Sequence, residues 1–125
     1  MPPAYDLLVI GDANPDVILG PLTGPLAFGQ REQLTETGSL VLGGSAGIMA
    51  CGAARLGLRV AFAGRVGDDD AGRYVRDTLT AHGVDTRALT LDTSRPTPLT
   101  VVLTRGDDRA VVTSPGTLTT TSGSD

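Results

Sequence analysis

Apolar and polar positions along the chain fall into short blocks with two different periods. Leu7-Leu8-Val9-Ile10 is an unbroken apolar run closed by Gly11-Asp12, the pattern of a strand buried on both faces in a parallel sheet covered by helices. Tyr5 to Ile10 is therefore predicted to be the first strand and to sit centrally. Between Val17 and Leu42, only Ile18-Leu19 and Leu40-Val41-Leu42 look like strands, and Pro21, Gly24, Pro25 and Gly29 mark a loop between them. This segment predicts a hairpin-like excursion from the main sheet rather than a crossover helix. Small residues from about Ser45 to Leu56 predict a helix, with Gly57 at the left-handed stop position.

The alternation continues beyond that helix. Val60-Ala61-Phe62-Ala63 reads as a second buried strand, and Ala71, Val75, Thr78 and Leu79 share one face of a second helix that Gly83 terminates. Val84 to Leu91 supplies another strand. Thr97 to Thr104 and Arg109 to Thr113 flank Arg105-Gly106-Asp107-Asp108, a hairpin signature. Thr117 to Asp125 contain one apolar side chain, Leu118, too little to fix them by burial, and a disordered tail is expected there. Strands alternating with helices predict an α/β fold built on a parallel sheet with right-handed crossovers.

Composition narrows the class. The chain has 125 residues, enough for one ordinary domain, with 40% hydrophobic residues but 3% aromatics, so the core must be aliphatic. The formal net charge is -4, and the ten basic residues, all arginine, are scattered singly. No basic stripe for nucleic acid and no polybasic membrane patch results, and neither partner is expected. Cys51 is the single cysteine and lies among alanines, as a small buried residue would. No apolar stretch reaches spanning length, and the N-terminus lacks the shape of a signal peptide, so a cytoplasmic protein is expected.

The candidate chemistry gathers at two places. Gly43-Gly44-Ser45 opens the first helix, where glycines let a ligand approach main-chain N–H groups and Ser45 is a candidate N-cap. A helix start of this kind suits a hydroxyl-rich or anionic ligand; the plainer alternative is a tight strand-to-helix turn. Asp12-Ala13-Asn14-Pro15-Asp16 puts short polar side chains at the C-terminal end of the first strand, where ligands collect in open α/β sheets, although an Asx-rich turn satisfying its own backbone would look the same. Asp68-Asp69-Asp70 lacks calcium-loop spacing and reads as capping of the second helix rather than as a metal site. The glycine spacings match neither the P-loop nor the dinucleotide fingerprint, and without lysine the chain has no P-loop or Schiff-base lysine.

Taken in order, Gly11-Asp12-x-Asn14-x-Asp16, Gly43-Gly44-Ser45-Ala46 through Ala54-Arg55-Leu56-Gly57, Gly64-x-Val66-Gly67-x-Asp69-x-x-Gly72, His82-Gly83-Val84-Asp85 and the hairpin from Val101 to Gly116 resemble the N-terminal part of the ribokinase-like (PfkB) carbohydrate and nucleoside kinases. The resemblance implies a ribokinase-like α/β sandwich over residues 1–116 with a small β-sheet lid, its strands near 17–42 and 97–114. It also implies that Asn14 and Asp16 bind substrate hydroxyls, that Gly43, Gly44 and Ser45 face the same sugar or nucleoside, and that lid strands can pair two copies into a homodimer. Where the family commonly has asparagine, this chain has Ile48, which implies a less hydroxylated or more apolar substrate. The family uses ATP and Mg, and its catalytic aspartate lies in a Gly-Ala-Gly-Asp segment far downstream. Thr121-Ser122-Gly123-Ser124-Asp125 lacks the second glycine and a following helix and is rejected as that segment. No catalytic residue, nucleotide or metal site is expected in this chain alone, which would then be inactive. The competing expectation is a non-catalytic ligand-binding module or one that pairs through its lid.

Overall fold

Val60, Phe62 and Val66 are excluded from solvent, and the strand that carries them organises the larger half of the molecule. The computed structural model describes residues 4–120. In chain order the elements are β1 (Leu7–Ile10), β2 (Asn14–Gly20), β3 (Thr37–Gly43), α1 (Ser45–Arg55), β4 (Val60–Gly67), α2 (Asp70–Ala81), β5 (Asp85–Asp92), β6 (Leu99–Arg105) and β7 (Asp108–Ser114), followed by a 3-10 turn over Gly116–Thr120. β1, β4 and β5 form a parallel sheet with β4 in the middle. Val9, Ala50, Phe62, Val75, Leu79 and Leu89 close the core between this sheet and the two helices.

A second sheet has the order β3-β2-β6-β7, with β2 and β6 parallel and both outer pairings antiparallel. It is the predicted lid, made from the excursion after β1 and from the β6–β7 hairpin. The hairpin turn holds Arg105 opposite Asp108, with Gly106 at a φ of 58°.

Four expectations need correction. Among the described residues β1 is an edge strand, not a central one, and Leu8 and Ile10 are 55% and 73% exposed, because β1 pairs there with β4 alone and these two side chains face away from Val9, which packs in the helix-covered core. Asn14 and Asp16 do not sit in a turn; they open β2, paired to Gly43 and Val41. Ser45 is not the cap of α1, since Gly44 holds that position without a side-chain bond and the Asp12 carbonyl accepts the Gly47 N–H at 3.1 Å in its place. Residues 117–120 are ordered: Thr117 is buried, its N–H donates to the Pro96 carbonyl at 3.0 Å and its hydroxyl to the Arg65 carbonyl at 3.1 Å. The expected Thr121–Asp125 part of the tail, and the rejected match within it, lie outside the described residues.

The capping expectation at α2 is met by Asp69, whose Oδ1 accepts the Gly72 N–H at 2.8 Å. The same carboxylate accepts the Thr97 hydroxyl at 2.5 Å and the Thr97 N–H at 3.0 Å, while Thr97 Oγ1 accepts the Gly67 N–H at 2.9 Å. One aspartate thus ties the end of β4, the start of α2 and the approach to β6. Burial pushes the Asp69 carboxyl up, but the donors on Thr97 and Gly72, with Arg73 nearby, outweigh it and hold the pKa below the ordinary carboxylate value.

Asp69→Ala removes a helix cap and a charge-assisted bond together and is expected to lower the unfolding free energy in urea by about 2 kcal/mol. Because the folded pKa is depressed, the ionised form's stabilisation is complete above the unfolded pKa of about 4 and is lost as pH falls through the lower folded value. Between about pH 5 and pH 2, wild type should therefore lose more stability than Asp69→Asn. The open edge and apolar face of β1 predict self-association of the chain, seen as an unfolding midpoint that rises with protein concentration.

Candidate functional site

The first turn of α1 and the first residues of β2 meet because both cross from the core sheet to the lid at one point. Gly44 has a φ of 88°, a left-handed conformation that costs a side-chain-bearing residue about 1 kcal/mol or more. A Cβ on Gly44 would also lie 2.7 Å from the Asp12 carbonyl oxygen and 2.9 Å from Ala13 Cα. At Gly43, directly across from Asn14 in register, a Cβ would collide with the Asp16 carboxylate. The paired glycines are therefore what lets the acidic corner and the helix start share one space.

The polar side chains are arranged in a definite sense. Asn14 is 6% exposed, and its Nδ2 donates to Asp16 Oδ1 at 2.8 Å, to the Pro15 carbonyl at 3.3 Å and to Thr100 Oγ1 at 3.4 Å. A carbonyl and a carboxylate both need a donor there, so the amide orientation is fixed by its neighbours. Asn14 Oδ1 and Asp16 Oδ2 receive no hydrogen bond among the described residues and remain two open acceptors. The amides of Ser45 and Ala46 likewise have no acceptor among the described residues, which leaves two donors at the positive end of the α1 dipole.

Asn14, Asp16, Gly43 and Gly44 are thus brought together as expected from the sequence. Ser45 stands exposed at the first position of α1. Ile48 goes elsewhere: it borders a hollow of about 370 Å³ with Leu40, Leu42, Cys51, Arg55 and Tyr74, behind the edge of β3. Cys51 is buried there, and burial pushes its thiol up despite nearby Arg55, which leaves it an unreactive packing residue. Sequence reasoning missed Thr100. It is the register partner of Asp16 across the parallel β2–β6 ladder, and its hydroxyl lies 2.9 Å from that of Thr113 on β7.

Residues 5–124 match the pfkB family carbohydrate kinases. The chain belongs to this family. It is 36% identical over 92 residues to a 5-dehydro-2-deoxygluconokinase of Lacticaseibacillus casei, covering 74% of this chain and 26% of that protein. A Bacillus subtilis 5-dehydro-2-deoxygluconokinase is 33% identical over 89 residues, covering 71% and 26%. Among solved structures, Arabidopsis thaliana ribokinase complexed with ribose and ATP superimposes with a TM-score of 0.79 at 26% identity, over 90% of this chain and 36% of that one. The chain spans about a quarter of the length of these curated relatives, and the part it matches is the ribokinase-like α/β sheet with its lid.

Gly44→Ala imposes both a left-handed φ and a backbone collision and is expected to cost about 2–3 kcal/mol. Gly52→Ala, where a Cβ would meet nothing within 4 Å, should be neutral or stabilising by up to about 1 kcal/mol. Urea unfolding of the two variants checks the contrast.

Proposed function

We propose that this chain is the substrate-binding portion of an ATP-dependent carbohydrate kinase, or of a nucleoside kinase, that transfers the ATP γ-phosphate to a hydroxyl of its substrate. The observation that carries this reading is the meeting of free acceptors on Asn14 and Asp16 with the free helix amides beyond Gly44. Vicinal hydroxyls can donate to the first pair while their oxygens accept from the second, which is the chemistry that a polyhydroxylated guest requires. The curated relatives named above are designated by a deoxy substrate, in keeping with a less hydroxylated guest. A cytoplasmic setting belongs to the same proposal.

The chain alone is proposed to bind substrate without phosphorylating it, with ATP and Mg held by the full-length members of the family; in support, no three His, Cys, Asp or Glu converge among the described residues. The second reading, a module that pairs through its lid, has its own support. β7 is exposed along its whole length, with Val111 and Val112 at 52% and 65%, an edge on which a lid strand of a second copy could pair. No described helix is long and apolar enough to cross a membrane.

Asp16→Ala should weaken pentose or hexose binding to the chain at least about tenfold, the loss of one charge-assisted hydrogen bond, and ATP binding should be undetectable by calorimetry. Sugar affinity untouched by Asp16→Ala, or ATP bound at micromolar concentration, would overturn the assignment.

A further inference from the structure

The hollow behind β3 shares no lining residue with the corner formed by Asn14, Asp16 and Gly44. Ile48, Cys51 and Arg55 follow one another at helical spacing along α1, and Tyr74, Thr78 and His82 do so along α2, so two helical faces form a trough against β3. Both helices lead into parallel strands of the core sheet and run the same way, which sets Ile48 and Tyr74 at one end and Arg55 and His82 at the other. The Tyr74 hydroxyl donates to the Leu40 carbonyl at 3.3 Å and ties the first end to β3. At the second end the His82 ring is held in place by its Nδ1, which donates to the Thr78 carbonyl at 2.9 Å. A volume of about 370 Å³ admits a guest of about a dozen non-hydrogen atoms, at the ~30 Å³ that each occupies in a liquid.

The electrostatics of this trough are one-sided. Arg59, Arg65, Arg73, Arg76 and Arg87 each pair with an aspartate, whereas Arg55, in the last turn of α1, forms no ion pair among the described residues. None of the side chains lining the trough is acidic, in a chain with 14 acidic and 10 basic residues. Leu8 and Ile10, the exposed side chains of β1, face away from the helices, so whatever covers them lies on the opposite side of the sheet from the trough.

We propose that this hollow is a second binding site, which takes a small carboxylate with a compact apolar body. The carboxylate sits at the Arg55 guanidinium, and the body fills the space between Leu40, Leu42, Ile48 and Cys51. An inorganic anion would leave those apolar walls wet, and an uncharged apolar guest would leave the guanidinium unmatched; the two requirements together select an amphipathic anion. A polyhydroxylated guest fits poorly, because walls of this kind leave its hydroxyls without partners. The site does not depend on the sugar-site reading above.

The test titrates the 125-residue chain, labelled at its leucine and isoleucine methyls, with 3-phenylpropionate and with the uncharged amide of the same acid. Methyl NMR shifts are expected at Leu40, Leu42 and Ile48. The acid should bind with a Kd of about 1 mM or tighter, about tenfold more tightly than the amide. Arg55→Gln should bring the two within about twofold, and Arg55→Lys, which keeps the charge without the planar fork, should retain about a threefold preference. Arg55 is exposed, so neither change threatens the fold, and circular dichroism of each variant verifies this. An acid that binds no better than its amide overturns the proposal, as does a preference that survives Arg55→Gln. Shifts centred on Leu8 and Ile10 instead of the trough, or no binding of the acid at about 10 mM, overturn it equally.

Discussion

The close approach of Gly44 to the Asp12–Ala13 peptide is the constraint on which the molecule's plan depends. The chain leaves the core sheet at that peptide to enter β2 and returns at Gly43-Gly44 to enter α1, so the two crossings must lie against each other. Only a residue without a side chain fits there, because a Cβ on Gly44 would lie 2.7 Å from the Asp12 carbonyl oxygen. That carbonyl then becomes the acceptor for the Gly47 N–H, so main chain rather than a serine hydroxyl steadies the helix start. The consequence is direct: the amides of Ser45 and Ala46 stay without an acceptor among the described residues, while the Gly47 N–H is met from outside the helix.

A second junction holds the opposite side of the lid. The Asp69 carboxylate grips Thr97 by its hydroxyl and its N–H, at the entry to β6, while Thr117 closes over the same segment through Pro96. Both junctions are short polar contacts near the core, and the strands beyond them are increasingly exposed toward β7. The lid is therefore anchored at its base and free at its far edge. Such a distribution concentrates local opening at the outer strands without loosening the core.

Much of this was legible in the sequence, and the misses have physical causes. Alternating apolar runs and helical faces located the elements, and the glycine pair located the site, because tight turns tolerate few residue types. The place of β1 was not legible, since an apolar run signals that a strand can be covered on both faces and not that the described residues cover it. Thr100 was half legible. The two-residue turn between Arg105 and Asp108 sets Thr100 opposite Thr113 by counting, but the parallel pairing of β6 with β2, which brings Thr100 to Asp16, joins positions more than eighty residues apart and leaves no local signal. Ser45 misled because a serine after glycines looks like a cap until a carbonyl from another crossing takes that duty. Ile48 has the helical position of a ligand-facing residue, yet its side chain borders the hollow behind β3.

The lid strands do two jobs through their pleat. Pro15 and Leu42, opposed in register, point away from Asn14 and Asp16; Pro15 is buried and Leu42 packs on the core beside α1. The intervening residues on the other face are the polar row from Asn14 to Thr113. A slip of one residue in the β2–β3 register would bury Asp16 and expose Leu42, at a cost in burial and in unpaired charge that both act the same way. Apolar packing on one face thus fixes the position of every hydrogen-bonding group on the other. The precision of the site comes from hydrophobic contacts that never touch a ligand, and that is why an aliphatic core with few aromatics suffices to hold it.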